Sequence, residues 1–560
     1  MKNLKYIIIL VISITIVIVS CDTLDEEIVS GVTAEYLNTP DGLDAGVNAA
    51  YSFLTSWYAQ ETGCNITTFG TDEFTHGGHG GNWDIDKYGA GLNAEHGDFW
   101  NLWSNFYQAI NTCNAVIDRA TASEVLTDEE KTPKIAEARF LRAHFYFVLV
   151  QMYGDIPLTL EETIGVETEA TRTPESQVYD AIISDLEYTV ANLPVSQSDF
   201  GRATQVAAKH MLGLVHLTKG NNSAAVPLLE SVIEDYGLLL DPDPLARYNH
   251  DNETHPEILF SVQFDEDPLL TPVGNETHLY FRPWYEVYAS GLIRAIGPGY
   301  GRPWIRYRPT GWLLNNFRVN GEYDVDSRFN EGFQQVWLYN TEDDALPAGA
   351  TVGDTAIWLV GWDITQEEVD AIEARLSGVV AGSNLYSWHP DAKGKPWSWW
   401  TSDGTDNNSI NIFPVAWKYE DDKRPSINHQ EGSRDWIVYC LSETYLLLAE
   451  ALVNSDKAKA AELINAVRTR AAYPGKEAEM MITEQDVTID FILDERSREF
   501  FGEMKRWFDL KRTGKLIERY KLHNPEGQVN NFITTNHLLR PIPANQLTRT
   551  TNKMQQNPGY

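Results

Sequence analysis

Twice along this chain, two small residues stand twelve positions apart across a helical hairpin. The first pair is Gly213 and Ala225 in GLVHLTKGNNSAAVPLLE, with Leu212 before one and Leu229 after the other; the second is Ala449 and Ala461, with Leu448 in front. At that offset small side chains let two antiparallel helices approach closely, which is the packing grammar of tetratricopeptide-like arrays. The remaining consensus positions are not filled, so these are degenerate repeats. They still hold the chain to a mainly α fold, because such hairpins bury a continuous core only by stacking on neighbours.

Helical signals surround the hairpins. Pro40 opens a pattern through Tyr58 with Leu43, Val47, Ala50, Tyr51 and Leu54 at helical spacing, and Asp98 is placed to cap a second helix carrying Phe99, Trp103, Phe106 and Ile110 on one face. Thr132-Pro133 predicts the start of a helix running to Tyr153, where Gly154 stops it, and Thr173-Pro174 repeats the device. Further helices are expected over 204–219, 221–235, 436–453, 456–471 and 485–501. Between about 240 and 430 this grammar is replaced by a long, loop-rich, aromatic middle region.

The N-terminus sets the compartment. Lys2 and Lys5 form a short positive region, and Tyr6 to Val19 is a fourteen-residue apolar run. That is short of the ~20 residues a membrane-crossing helix needs, so residues 1–20 read as a signal peptide. The run ends at Ser20-Cys21, a small residue before a cysteine, where a lipoprotein signal peptidase would cut and leave Cys21 as the lipidated first residue. Residues 21–39 then form an acidic tether that starts with Asp22, Asp25, Glu26 and Glu27. With Lys2 and Lys5 removed, 42 Lys plus Arg stand against 80 Asp plus Glu, a net −38. So negative a chain is a poor partner for nucleic acid or anionic lipid. Cys64, Cys113 and Cys440 are an odd number in an oxidising compartment, which leaves room for one disulfide at most and no disulfide framework.

Three long segments carry a resemblance to a known family. EARFLRAHFYFVLVQMYGDIPL (137–158), ILDERSREFFGEMKRWFDLKRTGK (492–515) and the end LLRPIPANQL…MQQNPGY (538–560) look like the hallmark segments of the SusD/RagB family, in the family's order. The resemblance implies a SusD-like helical body and a nutrient-uptake lipoprotein of the Bacteroidota outer membrane, lipid-anchored and facing the exterior. The acidic residues after Cys21 resemble the surface-export signal of such lipoproteins. It implies glycan as ligand and a SusC-like TonB-dependent outer-membrane transporter as partner. The expected organisation is one domain over 40–560, with its helical body at about 40–235 and 434–520 and an insertion at about 240–430. Residues 240–430 match no motif of the family, so the resemblance carries fold and role but not the glycan.

Read from their residues, these segments build scaffold. Glu495 and Glu499 stand one helical turn apart, as a catalytic carboxylate pair can, but four arginines in the same segment make salt bridges the expected use. The chemistry is expected in the middle, where eleven of seventeen tryptophans fall between Trp284 and Trp417, many beside Gly, Pro, Ser, Asn or Asp. A pyranose stacks its C–H face on an indole or phenol ring while its hydroxyls take polar partners at the edge.

Two segments are expected to form the ligand site. In TDEFTHGGHGGNWDIDKY (71–88), Trp83 is the stacking platform, with Asp72, Glu73 and Asn82 taking hydroxyls. From 282 to 308, Trp284, Tyr285, Tyr300 and Trp304 supply further rings. Arg282, Arg294, Arg302, Arg306 and Arg308 accompany them against one acid, Glu286, either as ion pairs to the acidic body or as a seat for uronates or sulfates. His76 and His79 lie in a flexible loop without a defined third ligand, so no metal is expected there, and no cofactor is expected anywhere. The expectation is therefore a binder and not an enzyme. Its alternatives are a surface glycosidase, or a scaffold that binds peptide or another nutrient.

Overall fold

The computed structural model describes residues 36–560, apart from 268, 272, 343–345, 347–349, 362–364, 366, 368, 369, 371–384 and 388–409. The signal peptide, Cys21 and most of the tether lie outside the described residues, as do Trp362, Trp388, Trp397, Trp399 and Trp400. Among the described residues no helix is long and apolar enough to cross a membrane.

The fold is mainly α. Pro40–Ser52 starts it, capped by Thr39, whose hydroxyl accepts from the Gly42 N–H at 3.1 Å. Gly97–Ala122, Asp128–Tyr153 and Glu175–Asn192 then pack successively against one another. The first hairpin follows as Gln205–Thr218 and Asn222–Glu234, and the second, Leu441–Leu452 and Lys457–Thr469, stacks on it. The small residues sit where the spacing requires them. Ala225 and Ala449 are fully buried, and a Cβ added to Gly213 would come within 2.7 Å of a Leu229 methyl. One apolar cluster runs from Leu43 to Ile542, and a second joins the two hairpins through Ala225, Leu229, Leu446 and Ile464.

Three sequence expectations are corrected. The helix ending at Tyr153 begins a turn before Thr132, because Thr127 and Glu130 form a capping box and leave Pro133 inside the first turns. The helix expected to start with Asp98 is capped by the His96 side chain instead. Residues 436–440 are not helical. Trp-Ile-Val-Tyr-Cys is β-branched and aromatic and is buried throughout, and it pairs antiparallel with Ile258–Val262 before the helix starts at Leu441. The other ladders are short: Phe74–His76 with Tyr307–Pro309, Phe333–Gln334 with Val415–Ala416, and Thr355–Val360 between Val336–Leu338 and Leu385–Ser387.

Charged groups are buried in quantity around the Ile489–Phe500 helix. Glu495, fully buried, meets Arg328 and Arg498 at 2.8 Å each and Arg468 at 2.5 Å. Glu499 meets Arg328 at 2.8 Å, Arg470 at 2.6 Å and Arg247 at 3.0 Å. Burial pushes the Glu495 carboxyl up, but these guanidiniums outweigh it and hold it down at about 2. The pair is structural, engaged on every side by arginine and closed to solvent. Cys64, Cys113 and Cys440 are free and buried.

Candidate functional site

The Phe74–His76 and Tyr307–Pro309 strands bring the two candidate segments together, with Thr75 opposite Arg308 and His76 opposite Tyr307. Past the ladder the backbones stay joined. The Gly77 N–H donates to the Arg306 carbonyl at 2.8 Å, and the Gly78 N–H to the Ile410 carbonyl at 2.6 Å. Trp284 is tied to the same third segment, its N–H donating to the Asn411 carbonyl at 2.7 Å. A Cβ on Gly77 would run into the Ile305 carbonyl, and one on Gly78 would require the Asn411 side-chain amide to move. Ile305 itself has φ +55°, a left-handed conformation costly for a β-branched residue, and is held there by an N–H bond to the Arg282 carbonyl at 3.2 Å.

Three tryptophans border this junction. Trp83 opens the short Trp83–Lys87 helix, stacks on His76 at 4.6 Å between ring centroids, and remains 36% exposed. Trp284 is 39% exposed, with its indole N–H turned to Glu286 at 3.2 Å. Among the described tryptophans, only these two are exposed. Trp304 is half-buried beneath Arg306 and Arg302, 5.1 and 5.8 Å from its centroid. Asn82 is half-buried and donates to Asp98 at 3.3 Å. The half-buried Tyr300 binds both backbone groups of Leu338 through its hydroxyl.

Other expected members are withdrawn by burial. Asp72 has no exposed surface, and its carboxylate is gripped by Arg506 through two 2.7 Å bonds and by Arg519 through a third. Burial raises its carboxyl, but the two guanidiniums pull it down to about 2. Glu73 is buried beside it and accepts the Gly502 N–H at 3.1 Å, and burial pushes its carboxyl up to about 7. Neither reaches the surface a ligand would touch, because the acidic start of the loop is a plug into the C-terminal helices. Tyr285 is buried too, stacked on Trp337 with its hydroxyl on the Tyr300 and Gly301 carbonyls at 2.5 and 3.0 Å.

Most of the arginines are spent on pairing. Arg282 meets Glu420, Arg294 meets Glu286 at 2.6 Å, and Arg306 meets Glu61 at 2.7 Å. Arg308 is buried. Arg302 is half-exposed and has no ion pair among the described residues. The two histidines take different partners: His76 Nε2 meets Glu526 at 2.9 Å, and His79 Nδ1 meets Arg306 at 2.9 Å. Asn411, Glu526 and Glu61 were not foreseen. Asn411 and Glu526 reach the site from distant segments and Glu61 from the helix just before the 71–88 loop, and no local pattern marks any of them.

Residues 256–560 match the model of the SusD family, and residues 24–217 match that of a family described as starch-binding associating with outer membrane. Among curated proteins, the chain is similar to SusD-like protein P2 of Formosa agariphila, 26% identical over 98% of each chain. It is also similar to a SusD-like protein of Bacteroides ovatus, 31% identical over 73% of this chain and 64% of that one. Among solved structures, a laminarin-binding SusD-like protein superposes with a TM-score of 0.68 at 22% identity, over 93% of this chain and 99% of the other.

Proposed function

Since the chain belongs to the SusD family, we propose that it is a surface lipoprotein that captures oligo- or polysaccharide at the Trp83–Trp284 junction and delivers it to a SusC-like TonB-dependent transporter. The observation that carries the reading is the meeting of two otherwise separate segments at a backbone junction that leaves two tryptophans exposed. Indoles kept at the surface by rigid backbone are platforms for sugar faces, and each adds stacking area at little entropic cost. Asn82 and Arg302 supply the polar edge, and Trp304 and Tyr300 further rings. Binding without catalysis is supported by four of the acids nearby, since Asp72, Glu73, Glu61 and Glu286 are buried or occupied by arginine and the N–H groups around them, while Asp84 beside Trp83 is exposed. Isothermal titration of the chain with laminarin and with starch oligosaccharides tests the reading. Binding to neither, or hydrolysis of either, counts against it.

The ion pairs at Arg282, Arg294 and Arg306 favour a neutral glycan over a uronate or sulfate, and affinity that holds at raised salt concentration is the corresponding result. Cys21 acylation anchors the chain, and residues 40–560 act as one domain. The transporter docks on the helical layer away from the tryptophans, because a lid has to hold its ligand on one side and its partner on another. Purification of the acylated protein without any barrel protein speaks against that arrangement.

A further inference from the structure

We propose that His250, Asp421 and Asp422 bind one divalent transition-metal ion, with zinc preferred. The three come from two segments: the turn after the short Ala246–Tyr248 helix, and the loop after Trp417–Tyr419. One ligand atom from each lies within 4.8 Å of the others. The His250 side chain is 8% exposed and its Nδ1 has no hydrogen-bond partner, although Asp422 Oδ1 stands at 3.4 Å and Asp421 Oδ1 at 3.7 Å. Neither separation is closed by a hydrogen bond. They suit a shared ion, because Zn–N and Zn–O bonds of about 2.0–2.2 Å at the tetrahedral angle put ligand atoms about 3.3–3.6 Å apart.

The surroundings fit a ligand set. His250 Nε2 lies on the Glu253 side, 3.8 Å from its Oε1, and Nδ1 is the nitrogen that faces the two aspartates. Asp421 is held by the N–H groups of Lys423 and Ser433, both at 3.1 Å. Asp422 is 56% exposed, which gives an entry path and leaves the fourth position to water. The nearby Lys423 ammonium is turned to the His250 carbonyl at 2.7 Å and to Asp251 at 3.1 Å. One imidazole with two carboxylates favours zinc over calcium, which prefers six to eight oxygens.

The test uses the chain from residue 22 onward, stripped with a chelator and titrated with zinc alone by calorimetry, with thermal unfolding in parallel. Asp422→Asn changes only an exposed carboxylate, and His250→Gln removes the buried ligand. The expected result is one more zinc bound by the parent chain than by either variant, with a rise in Tm absent from both. Zinc binding that is the same in all three chains overturns the site. An equal rise in Tm with calcium overturns the choice of zinc.

Discussion

At the residue scale, the acids and the tryptophan of one loop have opposite fates. Trp83→Ala removes a stacking platform and is expected to cost about 1–3 kcal/mol of glycan binding, roughly 5- to 150-fold, read by titration with the fold unchanged. Asp72→Asn leaves Arg506 and Arg519 buried without their carboxylate and is expected to cost about 3–5 kcal/mol of stability in denaturant unfolding. The pH dependence follows from the same groups. Asp72 and Glu495 titrate lower folded than unfolded, so their stabilisation is present above about pH 4 and is lost as pH falls toward 2. Glu73 runs the other way: its folded carboxyl, near 7, holds a proton that the unfolded one releases near 4.5, so stability falls as pH rises from 4.5 through 7. Glu73→Gln keeps an acceptor for Gly502 and is expected to raise Tm more at pH 8 than at pH 5. The exposure of Trp83 was legible because an indole among glycines has little core to fill. The fate of Asp72 was not, because its partners lie 434 and 447 residues away.

Elements were legible where a short-range rule governs them. The two hairpins follow from small residues twelve apart, and Gly213→Val, which drives methyls into Leu229, is expected to destabilise by about 1–3 kcal/mol in the same unfolding assay. The Trp436–Cys440 strand was missed because its apolar run continues without a break into Leu441, the first residue of the next helix. Only the pairing with Ile258–Val262, far away in sequence, separates the two. The 74–76 and 307–309 ladder belongs to the same class. The sequence named both segments as halves of one site on chemistry alone, and the three-residue pairing that joins them leaves no local trace.

At the scale of the whole molecule, the apolar cluster from Leu43 to Ile542 and the ion pairs that cross it imply one cooperative body. Calorimetry is expected to give a single unfolding transition, and two resolved transitions would refute this. Cys21→Ser is expected to move the chain from the membrane to the soluble fraction, followed by fractionation. The buried Asp72 has a further consequence for how the chain comes into being. Synthesis starts at the N-terminus, so Asp72 leaves the ribosome 434 residues ahead of the Arg506 that neutralises it. No nascent fragment ending before the Ile489–Phe500 helix contains the cations that this carboxylate needs in order to leave water. The N-terminal helices can pack on one another as they are made, but the loop that carries Asp72 takes its buried place only once Arg506 and Arg519 exist, so the last seam of this body to close is one of its earliest-made segments.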